Sequence, residues 1–253
     1  MNLFFDAIAW IFSPDKGAGV STVPIALLQH LVYTAISVVV AALLAIPAGW
    51  LIGHTGKGRD IAVAISGAAR AVPSFGLLIL LVLVFGVLHK PEAAVISFVL
   101  LAIPSVLAGA YTGLEAIDRA AIDAGRAMGM TEWQILWRTE VPLGMPLLIA
   151  GLRSATLQVV ATVTIADYVS LGGLGQYIIT GIPLKCYDMV LGGAILVAVL
   201  ALLLDGLFAL AQRAAVPRGV RPVRSGRPSA PKSAVDAASA PAERPQPSPA
   251  GVT

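Results

Sequence analysis

The residues with the widest chemical repertoire in this 253-residue chain are three histidines and one cysteine. His30, His54 and His89 are scattered. None has a partner at i,i+4, and no H-E-x-x-H or G-x-S-x-G pattern occurs. The lone Cys186 forms no intramolecular disulfide and no thiolate metal site. The nearest approach to a phosphate-binding loop is GHTGKGRD at 53–60. A P-loop requires G-x-x-x-x-G-K-[ST], whose backbone amides cradle phosphates and whose hydroxyl holds magnesium. Here the spacing is wrong, and Gly58 stands where Ser or Thr is needed. The pattern predicts a chain that makes and breaks no covalent bond, with no catalytic residues, no metal and no cofactor. What remains are ionisable and polar residues embedded in apolar sequence: Arg70, Arg153, Gln158 and Asp167.

Those residues sit in an unusual composition. The chain is 57% hydrophobic and 12% charged, against about 25% charged in a soluble domain. Its mean hydropathy is +0.86. This excludes an ordinary water-soluble enzyme and a disordered protein, and it predicts a polytopic, all-α membrane protein. Glycine (25) and proline (17) are frequent, which membrane helices tolerate when neighbours satisfy the freed backbone groups. The net charge of +3 is a property of the tail. Residues 213–253 hold seven Lys/Arg against two acidic residues, and the rest of the chain holds ten against twelve. A nucleic-acid-binding face is therefore excluded.

Five apolar spans are predicted, at about 24–52, 71–88, 92–112, 147–169 and 189–211. Residues 1–23, with Phe4, Phe5, Trp10 and Phe12, read as an N-terminal interfacial segment. No basic n-region and cleavage site mark it as a removable signal. Residues 61–70 read as an entry turn before the second span, because Arg70 and Pro73 interrupt the apolar run. Residues 24–212 form the membrane domain, and 213–253 a disordered Pro/Ala/Ser-rich tail. Twelve loop and tail cations, from Lys57 to Arg244, fall on one side, against Lys16, Lys90 and Lys185 on the other. The positive-inside rule then places the N-terminus outside and the C-terminus in the cytoplasm.

The long polar stretch between spans, 113–146, carries its own periodicity. Ile117, Ala121, Ala124 and Met128 recur every three or four residues, predicting a helix to about Met128. Gly129 permits a sharp turn. Thr131 is a helix N-cap candidate for TEWQILWRT, and Pro142 is expected to stop that helix. Met128, Met130, Trp133 and Ile135 are expected to be exposed as anchors for a partner groove. Asp123 and Arg126 are candidates for ion pairs with that partner.

This segment resembles the EAA motif of ABC-importer permeases: E-A-A, three residues, G, nine residues, I-x-L-P. The matching residues are Asp123, Ala124, Gly125, Gly129, Thr139, Val141 and Pro142. Asp, Gly, Thr and Val replace the motif's Glu, second Ala, Ile and Leu. RAVPSFGLL (70–78), GRAMGMTEWQIL and SLGGLGQYI (170–178) are similar to permeases of the glycine betaine/choline (quaternary ammonium) uptake class. The resemblance covers about 24–212. It implies a type I importer permease in the bacterial cell membrane, acting on glycine betaine, choline, carnitine or proline betaine. It also implies two separate ATPase subunits, a second permease subunit (a copy or a paralogue) and an extracellular substrate-binding protein. The ATPase-coupling residues would be Asp123, Ala124, Gly125, Arg126, Met128, Gly129, Met130, Trp133 and Pro142.

Candidates for the pathway or gate are Arg70, Pro73, Arg153, Gln158, Asp167, Tyr168, Gly172, Gly173 and Gly175. Arg70 and Arg153 are expected to snorkel to the interface. Gln158 is open between a cross-helix hydrogen bond and a pathway lining. Asp167 is open between a cap for the SLGGLG turn and an outer-gate residue. A methionine-type ABC permease is the alternative within the class. An ion-coupled secondary transporter or a non-transporting scaffold are the alternatives outside it, but no internal repeat favours the former.

Overall fold

A computed structural model describes residues 3–13 and 19–216, and among these no strand occurs. Ten α-helices follow in order: α1 (Leu3–Phe12), α2 (Val23–Thr55), α3 (Arg59–Ala71), α4 (Ser74–Phe85), α5 (Lys90–Glu115), α6 (Arg119–Ala127), α7 (Glu132–Ile135), α8 (Val141–Ile165), α9 (Gly175–Leu184) and α10 (Tyr187–Ala215). Among the described residues, four continuous helical stretches are long and apolar enough to cross a bilayer: Val23–Thr55, Val87–Glu115, Glu132–Val169 and Tyr187–Ala215. Pro47, Pro104 and Pro146 lie inside these helices.

The second expected span takes a different form. The 61–70 stretch is a helix, α3, rather than a turn, and it meets α4 at 86°. Pro73 is the break, since its ring disfavours the helical conformation of Val72, which is extended at φ −71°, ψ 125°. With 12 residues, α4 is about 18 Å long and does not cross a bilayer alone, but α3 and α4 taken together as one bent span make the fifth crossing. α1, with ten residues, is shorter still. It packs on α10, where Gly192 leaves room for the Trp10 ring, and Trp10 meets Tyr177 edge-on at 5.0 Å.

The core lies where α2, α4, α5 and α8 meet, around Phe98, Leu78, Val106, Val159 and Val163. Without a strong hydrophobic drive between helices in lipid, close packing and hydrogen bonds must hold them. α5 and α8 achieve this with facing glycines. A Cβ at Gly109 would lie 2.8 Å from the Gly151 Cα, and one at Gly113 would lie 2.7 Å from the Gly144 carbonyl oxygen. The same pair of helices is bridged by Ser105, whose hydroxyl donates to Gln158 Oε1 at 3.3 Å.

The 113–146 segment also differs from expectation. α5 ends at Glu115, and α6 starts afresh with Asp118 accepting from the Ala120 amide at 2.9 Å. Thr131 caps α7 in a full capping box with Gln134. Pro142 does not stop the helix. Residues Leu136–Glu140 widen into a π turn, with the Val141 amide donating to the Leu136 carbonyl, and the chain continues into α8. The wider turn moves the carbonyl that a proline ring would otherwise strike four residues back. Residues 213–215, expected in the tail, extend α10, and residues 14–18 and 217–253 lie outside those described.

Candidate functional site

Two clusters of polar side chains stand at opposite ends of the long helices. The first is the α6–α7 corner with the end of α2. The corner is made by a Schellman closure. The Met130 amide donates to the Gly125 carbonyl at 3.2 Å, and the Gly129 amide donates to the Arg126 carbonyl at 2.9 Å. Gly129 stands at φ +80°, the left-handed conformation this closure demands. Gly125 is buried, and space there is taken by Met130 and Ile135 at ordinary contact distance.

The expected anchors are thus divided. Met128 (75% exposed) and Trp133 (67% exposed) project outward, Met130 is half-buried, and Ile135 is fully buried beneath α6. Ile135 is therefore no anchor: it holds the corner together. Asp123 and Ala124 are exposed on α6, and Pro142 is exposed on α8. Arg126 is committed within the chain, with Nε and Nη2 donating to Glu132 at 2.9 and 3.1 Å and Nη1 reaching Asp123 at 3.2 Å. The Glu132 carboxylate raises the Arg126 pKa above its usual value. Trp133, Trp137 and Trp50 form a ladder of edge-on rings at 5.6 and 5.4 Å.

A cleft of about 480 Å³ opens between α6 and the end of α2, lined among others by His54, Arg59, Arg119 and Glu140. Arg59 pairs with Glu115 at 3.3 Å. His54 Nδ1 lies 2.6 Å from Glu140 Oε2, and Glu140 is only 4% exposed. Sequence reasoning missed His54, Glu132 and Glu140. A histidine in a loop-like string and two glutamates in a polar segment carry no local signal of convergence.

The second cluster surrounds the SLGGLG turn. Asp167 Oδ1 accepts from the Gly172 amide at 3.0 Å, so its carboxylate caps the turn. The turn is also tied to α2, since the Gly173 amide donates to Gln29 Oε1 at 3.1 Å. Tyr168 is exposed and meets Phe75, two residues after Pro73, edge-on at 5.3 Å. Gly175 lies so close to Thr164 that no side chain fits between them. Asp167, Tyr168, Gly172, Gly173 and Gly175 are therefore brought together.

Arg153 and Gln158 are not part of that group. Gln158 faces α5. Arg153 faces α10, with Nε and Nη2 donating to the two carboxylate oxygens of Asp205 at 2.5 and 2.6 Å. Arg153 is thus paired between helices. Asp205, an acid in the apolar run VLALLLDGLFAL, was the available signal, because an ionisable residue in such a run needs a partner. Arg70 lies on α3, near its end. No group of three or more metal-ligating side chains is assembled among the described residues.

A model of the family described as binding-protein-dependent transport system inner membrane component matches residues 45–218. The chain belongs to this family. It is a multi-pass permease of the inner membrane, a transport subunit rather than an enzyme, and it works with an ATPase and a substrate-binding protein. Among similar curated proteins, the carnitine transport permease protein OpuCB of Listeria monocytogenes is 31% identical, covering 78% of this chain and 90% of the relative. The choline transport system permease protein OpuBD of Bacillus subtilis is 33% identical, covering 78% and 86%. The osmoprotectant import permease protein OsmW of Salmonella typhimurium is 31% identical, covering 76% and 91%. Among solved structures, an inward-facing MetNI methionine ABC transporter chain matches with a TM-score of 0.67 at 22% identity, over 77% of this chain and 96% of that one. That likeness establishes the fold of this permease.

Proposed function

We propose that this permease passes quaternary ammonium osmoprotectants, of the glycine betaine, choline, carnitine and proline betaine class, into the cell. The observation that carries this reading is the similarity, over nearly the whole length of each relative, to permeases named for carnitine, choline and osmoprotectant import. A methionine importer draws support only from structural likeness at 22% identity, which carries the fold alone. The test is uptake in cells that lack their own osmoprotectant importers and express this chain with its ATPase and binding protein. At least one of labelled choline, glycine betaine and carnitine is expected to accumulate, and methionine is not. Accumulation of methionine alone would overturn the reading.

In the same proposal, two ATPase subunits sit beneath two permeases, the second being a copy or a paralogue. The segment from Asp123 to Trp133 docks on the ATPase. Exposed Met128 and Trp133 support this role, since large apolar and aromatic side chains supply most of the energy of such contacts. The distribution of Lys and Arg supports an outside N-terminus and a cytoplasmic C-terminus. The SLGGLG turn then faces outward, and Asp167 adds negative charge to the outer mouth. Asp167→Asn separates the charge from the cap, because the amide oxygen still accepts from Gly172. It is expected to leave assembly intact and lower choline uptake about tenfold at low ionic strength, through lost attraction. Zwitterionic glycine betaine should lose less. Unchanged uptake of both would leave Asp167 with the cap alone.

A further inference from the structure

The coupling segment meets α2 at one buried polar joint. Glu140 lies in the π turn at the foot of α8 and is 4% exposed. His54 stands in the last turn of α2, with Nδ1 2.6 Å from the Glu140 carboxylate. The Nε2 of the same ring faces Glu132 Oε2 at 3.8 Å. Glu132 is held by Arg126, and Arg126 by Asp123. Charged and hydrogen-bonding side chains therefore run in sequence from α6, through α7, to the end of α2 and the foot of α8.

The mechanical consequence follows from the kinds of contact. Apolar side chains and edge-on rings, such as Trp50 against Trp137, let helices slide over one another at small cost. A short, charge-assisted hydrogen bond to a buried carboxylate does not, because breaking it strands the charge. A displacement of α6 and α7 must then either carry the end of α2 along or break the His54–Glu140 bond.

We propose that His54, outside the motif that docks on the ATPase, is a positioning residue that transmits displacement of the coupling segment to α2 by holding Glu140 and facing Glu132. This rests on the reading that the segment docks on the ATPase.

The test uses the complete complex, with its ATPase and binding protein, in proteoliposomes, with choline and glycine betaine as probes. His54→Leu alone strands a buried carboxylate and can prevent folding. The deciding variant is therefore His54→Leu/Glu140→Leu, which replaces the bonded pair by an apolar one. It is expected to insert and retain the ATPase. The stimulation of ATP hydrolysis by loaded binding protein, and uptake per ATP hydrolysed, should each fall about tenfold, within the range of typical coupling between sites. His54→Gln, whose amide still donates to Glu140, should keep most of both. Wild-type stimulation and uptake per ATP in the double variant would overturn the proposal. So would a His54→Gln variant as defective as the double one. Loss of the ATPase from the double variant would also overturn it, because His54 would then support the docking surface itself. The docking reading fails by a separate result: an ATPase retained as firmly by Met128→Ser/Trp133→Ser as by the unaltered chain.

Discussion

Gly151→Leu is expected to abolish the folded permease. A Cβ at position 151 would lie 2.8 Å from the Gly109 Cα and 2.8 Å from the Ser105 carbonyl oxygen. Both obstacles are backbone, so no side chain can swing aside, and α5 and α8 must move apart. Overpacking in a core that can adjust costs about 1–3 kcal/mol, and a backbone-on-backbone clash has no such adjustment. Separation would also break the Ser105–Gln158 hydrogen bond and loosen the packing around Val106 and Val159. In a membrane this packing is the main source of helix association. The variant should give little detergent-stable, monodisperse protein in size-exclusion chromatography. Gly206→Leu is the control, since nothing lies within 4 Å of a Cβ there, and it should behave as the unaltered chain. Equal yield and thermal stability for Gly151→Leu would refute the close-packing account.

What the sequence made legible was whatever is decided locally. Apolar runs longer than a bilayer announce themselves, and the long helices fall where the runs do. Thr131 and Gln134 form their capping box three residues apart, so the cap could be read directly. Failures came where a local rule met a compensation. From sequence Pro142 reads as a stop, but the π turn before it removes the clash that would make it one. The 61–70 stretch reads as a turn because Arg70 and Pro73 interrupt hydropathy, but Arg70 lies within α3 and only Pro73 breaks the helix. Ile135 reads as an anchor because an apolar residue on a polar segment can serve a partner or an internal contact equally, and only α6 folding over it decides. Pairings were out of reach for a different reason. His54 with Glu140, and Arg153 with Asp205, join helices far apart in sequence, and a single sequence records positions rather than proximity.

Gly129→Val is expected to abolish uptake while leaving the permease inserted. The reason is conformational rather than steric. A Cβ at Gly129 would meet nothing within 4 Å, but the residue stands at φ +80°. That left-handed conformation costs an ordinary L-residue about 1–2 kcal/mol, and a β-branched residue there is a genuine outlier. Valine would therefore open the closure in which Met130 and Gly129 donate to the Gly125 and Arg126 carbonyls. Met130 and Ile135 would lose their place against Gly125, and the direction in which Met128 and Trp133 are presented would change. The long helices do not depend on this corner, so insertion should survive. Asparagine tolerates the left-handed region. The expected order of uptake is accordingly Gly, then Asn, then Ala, with Val at background. The measurement is choline or glycine betaine uptake beside ATP hydrolysis stimulated by loaded binding protein, in complexes of equal permease content. Stimulated hydrolysis at the wild-type level in Gly129→Val would show that the corner's geometry is dispensable. An asparagine variant as inactive as valine would show that the glycine is needed for close approach by a partner rather than for its backbone conformation.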